Sequence, residues 1–410
     1  MGLRTYIVTR VLLTIPMIML LLTLVFLIVR VLPGDPVLLH FEKYEDPIAV
    51  EHLRHALGLD KPLIVQYFDY LVGLFRGDLG KSMQDYSSVG QQIFSAFPAT
   101  LELAIYSMII AVLLGVLLGV QAAKKYNSFQ DHSIRTFGIV TYAIPVFFLG
   151  MIFQIIFGIY FGWFPTGTRT YPTLVPTGLR IPLQPPQGGF PVVLMWSSIT
   201  GLVCATMCLI ILRMKKVKFW PTGTLIAFSV FAIGWVVWAS GAWRFMNLGG
   251  IHVSTGLYTI DSLLEGNIVK FVEALRYLFL PSLTLGLVLC GIFIRLTRNN
   301  ALETFRQDYV TAAKARGLKD NTVTYGYALR TAFLPVLTMM GLQFAALLGG
   351  AILTETTFSW PGLGKYVVER INSRDYTAIQ GAVVFFGLLV ALVSLIVDIL
   401  YAFLDPRIKL

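Results

Sequence analysis

Eight stretches of this chain are apolar over about the length that a bilayer requires: residues 11–29, 100–122, 134–160, 192–212, 222–243, 278–296, 334–353 and 379–403. A helix needs about 20 such residues to cross a hydrocarbon core. Each stretch therefore predicts a transmembrane helix, and the fold class is an all-α polytopic membrane protein. Pro145 lies inside the third stretch and predicts a kink. Two of the polar intervals carry a helical pattern of their own. In residues 30–98, Leu63, Ile64, Tyr67, Phe68, Leu71, Val72 and Phe75 recur at helical spacing and form one apolar stripe, with Asp60 placed to cap it. Such a helix lies on the membrane surface or roofs the bundle. In the second interval, a helix is expected from Glu303 to Arg316, with Gly317 as its left-handed C-terminal cap.

Composition agrees with a lipid environment. The chain is 56% hydrophobic and 13% charged, against about 25% charged in soluble domains. Its net charge of +10 does not indicate nucleic acid, because the basic residues fall between the apolar stretches. That is the pattern of membrane orientation. With the N-terminus in the cytoplasm, the cytoplasmic segments collect the larger share of the 32 Lys and Arg. RMKKVK after residue 212 and the loop 295–330 weigh most, and both termini are predicted cytoplasmic. The first apolar stretch is longer than a signal-peptide core and is followed by VLPGDP, so it reads as a retained span.

Candidate chemistry is sparse. GDLGKS at residues 77–82 resembles the end of a phosphate loop, but Phe75 stands where the first glycine belongs, so it reads as a turn. His52 and His55 lack the spacing of a zinc-protease motif and read as a solvated pair. Cys204, Cys208 and Cys290 lie in apolar stretches and read as packing residues. No nucleophile–base set is visible, so no catalytic or metal site is expected and an enzyme is excluded. Asp398 lies within a span and reads as structural. Gly115 and Gly119 are spaced for close helix packing.

The loop 297–333 differs in kind. Ala312, Ala313 and Ala315 give its helix a face with little bulk, and Lys314, Arg316 and Lys319 surround that face with charge. A partner groove and anionic lipid headgroups are both compatible with it. Here a resemblance enters. AAKARG followed by Leu334–Pro335 is similar to the "EAA" signature of ABC-transporter permeases. LPGDP at 32–36, GDLGKS at 77–82, FPATLEL at 97–103, RLTR at 295–298, QDYVTAAKARGL at 307–318, ETTFSWPGLG at 355–364, RDY at 374–376 and DILYAFLDPRIK at 398–409 resemble, in order, the dipeptide/oligopeptide/nickel permease subunits.

The resemblance implies a type I ABC importer transmembrane domain in a prokaryotic plasma (inner) membrane. Residues 1–98 would form the first helix and an extracytoplasmic loop, and residues 99–404 the permease domain. It implies that Asp308, Tyr309, Ala312, Ala313, Ala315, Arg316 and Gly317 form the ATPase-coupling helix, within a coupling loop at 297–333. Implied partners are a second homologous permease, two cytoplasmic ATPases, an extracytoplasmic solute-binding protein and membrane lipid, with no nucleic acid. ATP and Mg would reside on the ATPases and no cofactor on this chain. The cargo would be di- or oligopeptides, with oligosaccharides or nickel as alternatives. An ion-coupled secondary carrier is the rival class. Thr338, Gln343 and Thr354 are polar positions at the seventh stretch expected to face the pathway. Such permeases have six spans. The two extra stretches fall in an insertion at about 168–250, so the expectation is six core spans plus a two-span hairpin.

Overall fold

The computed structural model describes residues 3–31, 60–169, 255–265 and 267–404. Both spans of the expected hairpin, together with His52, His55, Cys204 and Cys208, lie outside the described residues. Within them the chain is helical. It runs α1 (Leu3–Val31), α2 (Leu63–Phe75), α3 (Val89–Lys124), α4 (Phe129–Ala143) and α5 (Val146–Tyr160). It continues with α6 (Tyr258–Leu264), α7 (Ile268–Phe305), α8 (Asp308–Ala315), α9 (Thr322–Leu348), α10 (Ile352–Thr357), α11 (Leu363–Asn372) and α12 (Tyr376–Leu404). The described residues hold no strand, and Lys81 and Ser88 form an isolated antiparallel bridge.

Among the described residues, α3, α7, α9 and α12 are long and apolar enough to cross a membrane. A fifth span results if α4 and α5 count as one. The chain bends by 99° at the break between them. Pro145 explains the break: it has no N–H to donate, and it drives Ile144 to an extended conformation with φ −73° and ψ 127°. The N-terminal helix α1 has a shorter apolar stretch, Leu12–Ile28.

The chain divides into two compact units, residues 1–149 with 281–410 and residues 150–280. In the first unit α12 packs along α1 and α9, and α3 packs against α4, α9 and α11. Gly115 and Gly119 perform the expected close approach. A Cβ on Gly119 would stand 2.7 Å from Thr297 Cβ and 2.9 Å from the Ile294 carbonyl oxygen, so α3 and α7 meet almost backbone to backbone. Val89, Ile93, Leu363, Val367, Ala378 and Ala382 close a core shared by α3, α11 and α12. In the second unit, Phe164 stacks on Phe279 with ring centroids 4.6 Å apart. Asp261 there accepts from the amides of Thr255 and Gly256, both at 3.0 Å, tying the chain ahead of α6 to that helix.

Several expectations need correction. Asp60 does not cap α2; Pro62 holds the N-cap position and makes no side-chain bond there. The apolar stripe of α2 is split. Tyr67, Tyr70, Leu71 and Leu74 pack on α1 and α12, while Ile64, Phe68 and Phe75 stay exposed. Tyr70 takes part because its ring meets Phe26 at 5.5 Å. The outer loop ends earlier than Pro98, which lies inside α3. The seventh span begins at Thr322 and ends at Leu348, so Thr354 belongs to the separate helix α10. The helix expected from Glu303 to Arg316 is two helices broken at Arg306–Gln307.

Candidate functional site

The break at Arg306–Gln307 builds the site. The amides of Arg306 and Gln307 bond back to the Glu303 and Thr304 carbonyls at 3.1 Å each, tightening the end of α7 into a turn. Gln307 is extended, with φ −75° and ψ 146°, and the chain then re-enters helix as α8. Asp308 lies in the first turn of α8 and Lys314 in the last, each at the end of the helix dipole that favours its charge. Gly317 follows with φ +71°, in the left-handed region as expected.

The helix α8 has two faces. Val310 and Ala313 are buried against Val323, Ala328 and Phe305, so Ala313 supports the fold of the loop and does not belong to the free face. Asp308, Ala312, Ala315 and Arg316 are exposed. Tyr309 is partly exposed, and its hydroxyl donates to Thr331 Oγ1 at 3.0 Å. Small residues thus serve both sides: Ala313 lets α8 lie close to the base of α9, while Ala312 and Ala315 leave a smooth outer surface.

That surface stands on a firm base. Lys124, at the end of α3, pairs with Asp320 at 2.8 Å, reaches Asn321 at 3.2 Å and lies over the Tyr325 ring at 5.9 Å. The hydrogen bond from Lys124 holds the Asp320 carboxyl below its ordinary range. Ala123, Ala301 and Ala332 join α3, α7 and α9 beneath the loop. The start of α9, Thr322–Ala328, is a π-helical stretch. Such stretches are frequent at functional sites. Lys124 and Asn321 were not singled out from the sequence. Their partnership spans 197 positions, and a lysine at a helix end gives no local sign of it.

The polar positions at the seventh stretch separate. Thr338 and Gln343 lie half-buried on α9, and the Thr338 hydroxyl donates to the Leu334 carbonyl at 3.4 Å. Thr354 is buried in α10, and its hydroxyl has no hydrogen-bond partner among the described residues.

The sequence motifs, by contrast, come together in pairs. Ser82 of GDLGKS donates to Asp375 of RDY at 2.5 Å, and the Met83 amide adds a bond at 3.2 Å. GDLGKS is a turn in the structure, with Gly77 and Gly80 at positive φ. Thr100 of FPATLEL donates to Glu355 of ETTFSWPGLG at 2.7 Å and accepts the Leu363 amide at 2.8 Å. Trp360 Nε1 donates to the Ala99 carbonyl at 2.9 Å. Gly362 is obligatory there, since a Cβ would stand 2.5 Å from both Glu355 Oε2 and Thr100 Oγ1. Burial pushes the Glu355 carboxyl above its ordinary range, against the hydrogen bonds that favour its charge. Arg298 of RLTR grips Asp131 with two bonds at 2.7 and 2.8 Å. Asp398 pairs with Arg10 at 3.5 Å, which agrees with its structural reading.

Comparison with known proteins places this arrangement. The family model described as binding-protein-dependent transport system inner membrane component matches residues 111–410, and the N-terminal model of the same system matches residues 3–104. The chain is 34% identical to a di/tripeptide transport system permease protein of Pseudomonas aeruginosa, over 94% of this chain and 93% of that one. It is 33% identical to a dipeptide transport system permease protein of Alkalihalophilus pseudofirmus, over 98% and 99%. A glutathione transport system permease protein of Salmonella choleraesuis is 31% identical over 98% of each chain. Each is named as a permease protein of a transport system, and this chain is accordingly a multi-pass transport component of the plasma membrane. The chain belongs to the family of inner-membrane components of binding-protein-dependent transport systems.

Proposed function

We propose that this chain forms one half of the translocation pathway of an ATP-driven peptide importer, with α8 as the helix through which ATPase subunits move it. The observation that carries the reading is the exposed face of Ala312, Ala315 and Arg316 on a helix packed on the end of α7 and the start of α9, with the loop that follows it tied to α3 by Lys124. A face without bulk lets a partner groove approach the backbone, and a braced base passes the partner's motion to three spans at once. The names of the relatives, di/tripeptide, dipeptide and glutathione permeases, support a small-peptide cargo. Oligosaccharides and nickel are the weaker alternatives. Membership in a binding-protein-dependent family speaks against an ion-coupled carrier.

In this reading the core has six spans, and the segment at about 168–250 adds a two-span hairpin. Both termini and RMKKVK lie in the cytoplasm. A second homologous permease pairs with this chain, two ATPases bearing ATP and Mg bind beneath, and an extracytoplasmic binding protein delivers cargo. ATP-closed ATPases favour the outward-facing state and hydrolysis releases it. Thr338, Gln343 and Thr354 are candidate contacts along the pathway. Gentle-detergent purification tests the assembly: an ATPase pair and a second permease co-elute. Solitary elution together with ion-driven uptake would refute it. A cysteine at Lys216 is shielded from impermeant reagent in intact cells, and labelling there would reverse the topology.

A further inference from the structure

The groove between α4 and α7 holds more positive charge than its packing uses. Two contacts frame it. Arg298 of α7 grips Asp131 of α4 at one level. At the next, α4 and α7 touch through glycine, and a Cβ on Gly291 would strike the Gly138 carbonyl. Arg135 lies between these levels on α4 and Arg295 between them on α7. Both line one groove of about 430 Å³, together with Ile139, Tyr142 and Ile292.

The neighbouring carboxylate is already occupied. Asp131 accepts both Arg298 bonds and also the Asn127 amide at 3.0 Å. Arg135 and Arg295 are exposed, and neither forms a salt bridge among the described residues. Asp131 is thus matched to Arg298, Arg135 acts on it only through space, and Arg295 forms no salt bridge among the described residues. A groove with apolar walls and unpaired cations focuses its field on an anion. The planar fork of arginine suits a carboxylate or a phosphate.

We propose that this groove binds one anionic group, a carboxylate or phosphate, between Arg135 and Arg295. Two sources carry that chemistry. One is the terminal carboxylate of a peptide in transit, a source that rests on the cargo proposed above. The other is the headgroup of an anionic phospholipid, with its chain along Ile139 and Ile292.

The test uses the complete purified transporter without nucleotide. Phosphatidylglycerol and phosphatidylcholine are titrated by native mass spectrometry, and dialanine and its C-terminal amide by calorimetry. Wild type is compared with R135Q/R295Q and R135K/R295K. The Gln variant loses affinity for at least one anionic probe by about tenfold or more. It binds phosphatidylcholine and the amide as wild type does, and the Lys variant, which keeps the charge, falls between. Loss confined to dialanine assigns the groove to cargo, and loss confined to phosphatidylglycerol assigns it to lipid. If no form of the transporter takes dialanine, the peptide reading fails and the lipid titration alone decides. Equal binding of both anionic probes by wild type and the Gln variant overturns the site.

Discussion

Glu355 shows how a single residue holds distant segments together. Its two oxygens accept from Thr100 and from the Lys365 amide, at 2.7 and 3.0 Å, and it is fully buried. Burial raises its folded pKa above the unfolded value. The native state then keeps a proton where the unfolded chain has lost it. The resulting stability is complete below the unfolded pKa and declines as pH rises toward the folded one. Glu355→Gln removes this decline. Its amide oxygen still accepts the Lys365 N–H while its NH2 faces Thr100 Oγ1, as in the protonated acid, so the cost at low pH stays below about 1 kcal/mol. Thermal unfolding of the purified transporter between about pH 4 and pH 8 checks both effects. An unchanged pH dependence in the variant would exclude Glu355 as its source. Gly317 is a second such residue. A Cβ there has open space, so the cost of Gly317→Val is purely conformational, about 1–2 kcal/mol for a side chain at positive φ. More ATP should be hydrolysed per peptide imported, and a wild-type ratio would contradict this.

Among the elements, α3 and α7 are locked by glycine. Gly119→Leu forces them apart and costs about 1–3 kcal/mol, read as a lower unfolding midpoint; an unchanged midpoint would show that the close contact is dispensable. The spacing of the two glycines pointed to close packing in the sequence, but glycines are common in spans, and only the structure names Thr297 and Ile294 as what they meet. The spans expected at 100–122, 278–296 and 379–403, the Pro145 break and the Gly317 cap were legible because each has a local cause. What was not legible depends on partners far along the chain. Nothing near Glu303–Arg316 announces a break at Gln307, which follows from α8 turning to bury Val310 and Ala313 on the start of α9. Likewise Tyr70 replaced part of the α2 stripe because Phe26 of α1 is its neighbour. The motif pairs Ser82–Asp375 and Thr100–Glu355 join positions 293 and 255 apart. Their residues were visible as motifs, but their pairing was not.

At the scale of the whole molecule, this transport component has paired motifs that brace its helices, and the loop proposed for coupling stands on three of them. The site residues divide accordingly. Ala313 and Tyr309 hold α8 to the bundle, while Asp308, Ala312, Ala315 and Arg316 face outward. A bulky side chain on the outward face should leave this chain folded and yet separate the ATPases from it. The most direct test is Ala312→Trp in the reconstituted transporter with its binding protein, reading ATP-driven dipeptide uptake beside ATP hydrolysis. Uptake is predicted to fall about tenfold or more, the loss expected from about 1.4 kcal/mol or more of misfit, while the unfolding midpoint of the complex is unchanged. Uptake per ATP equal to wild type would contradict the assignment of α8 as the coupling helix.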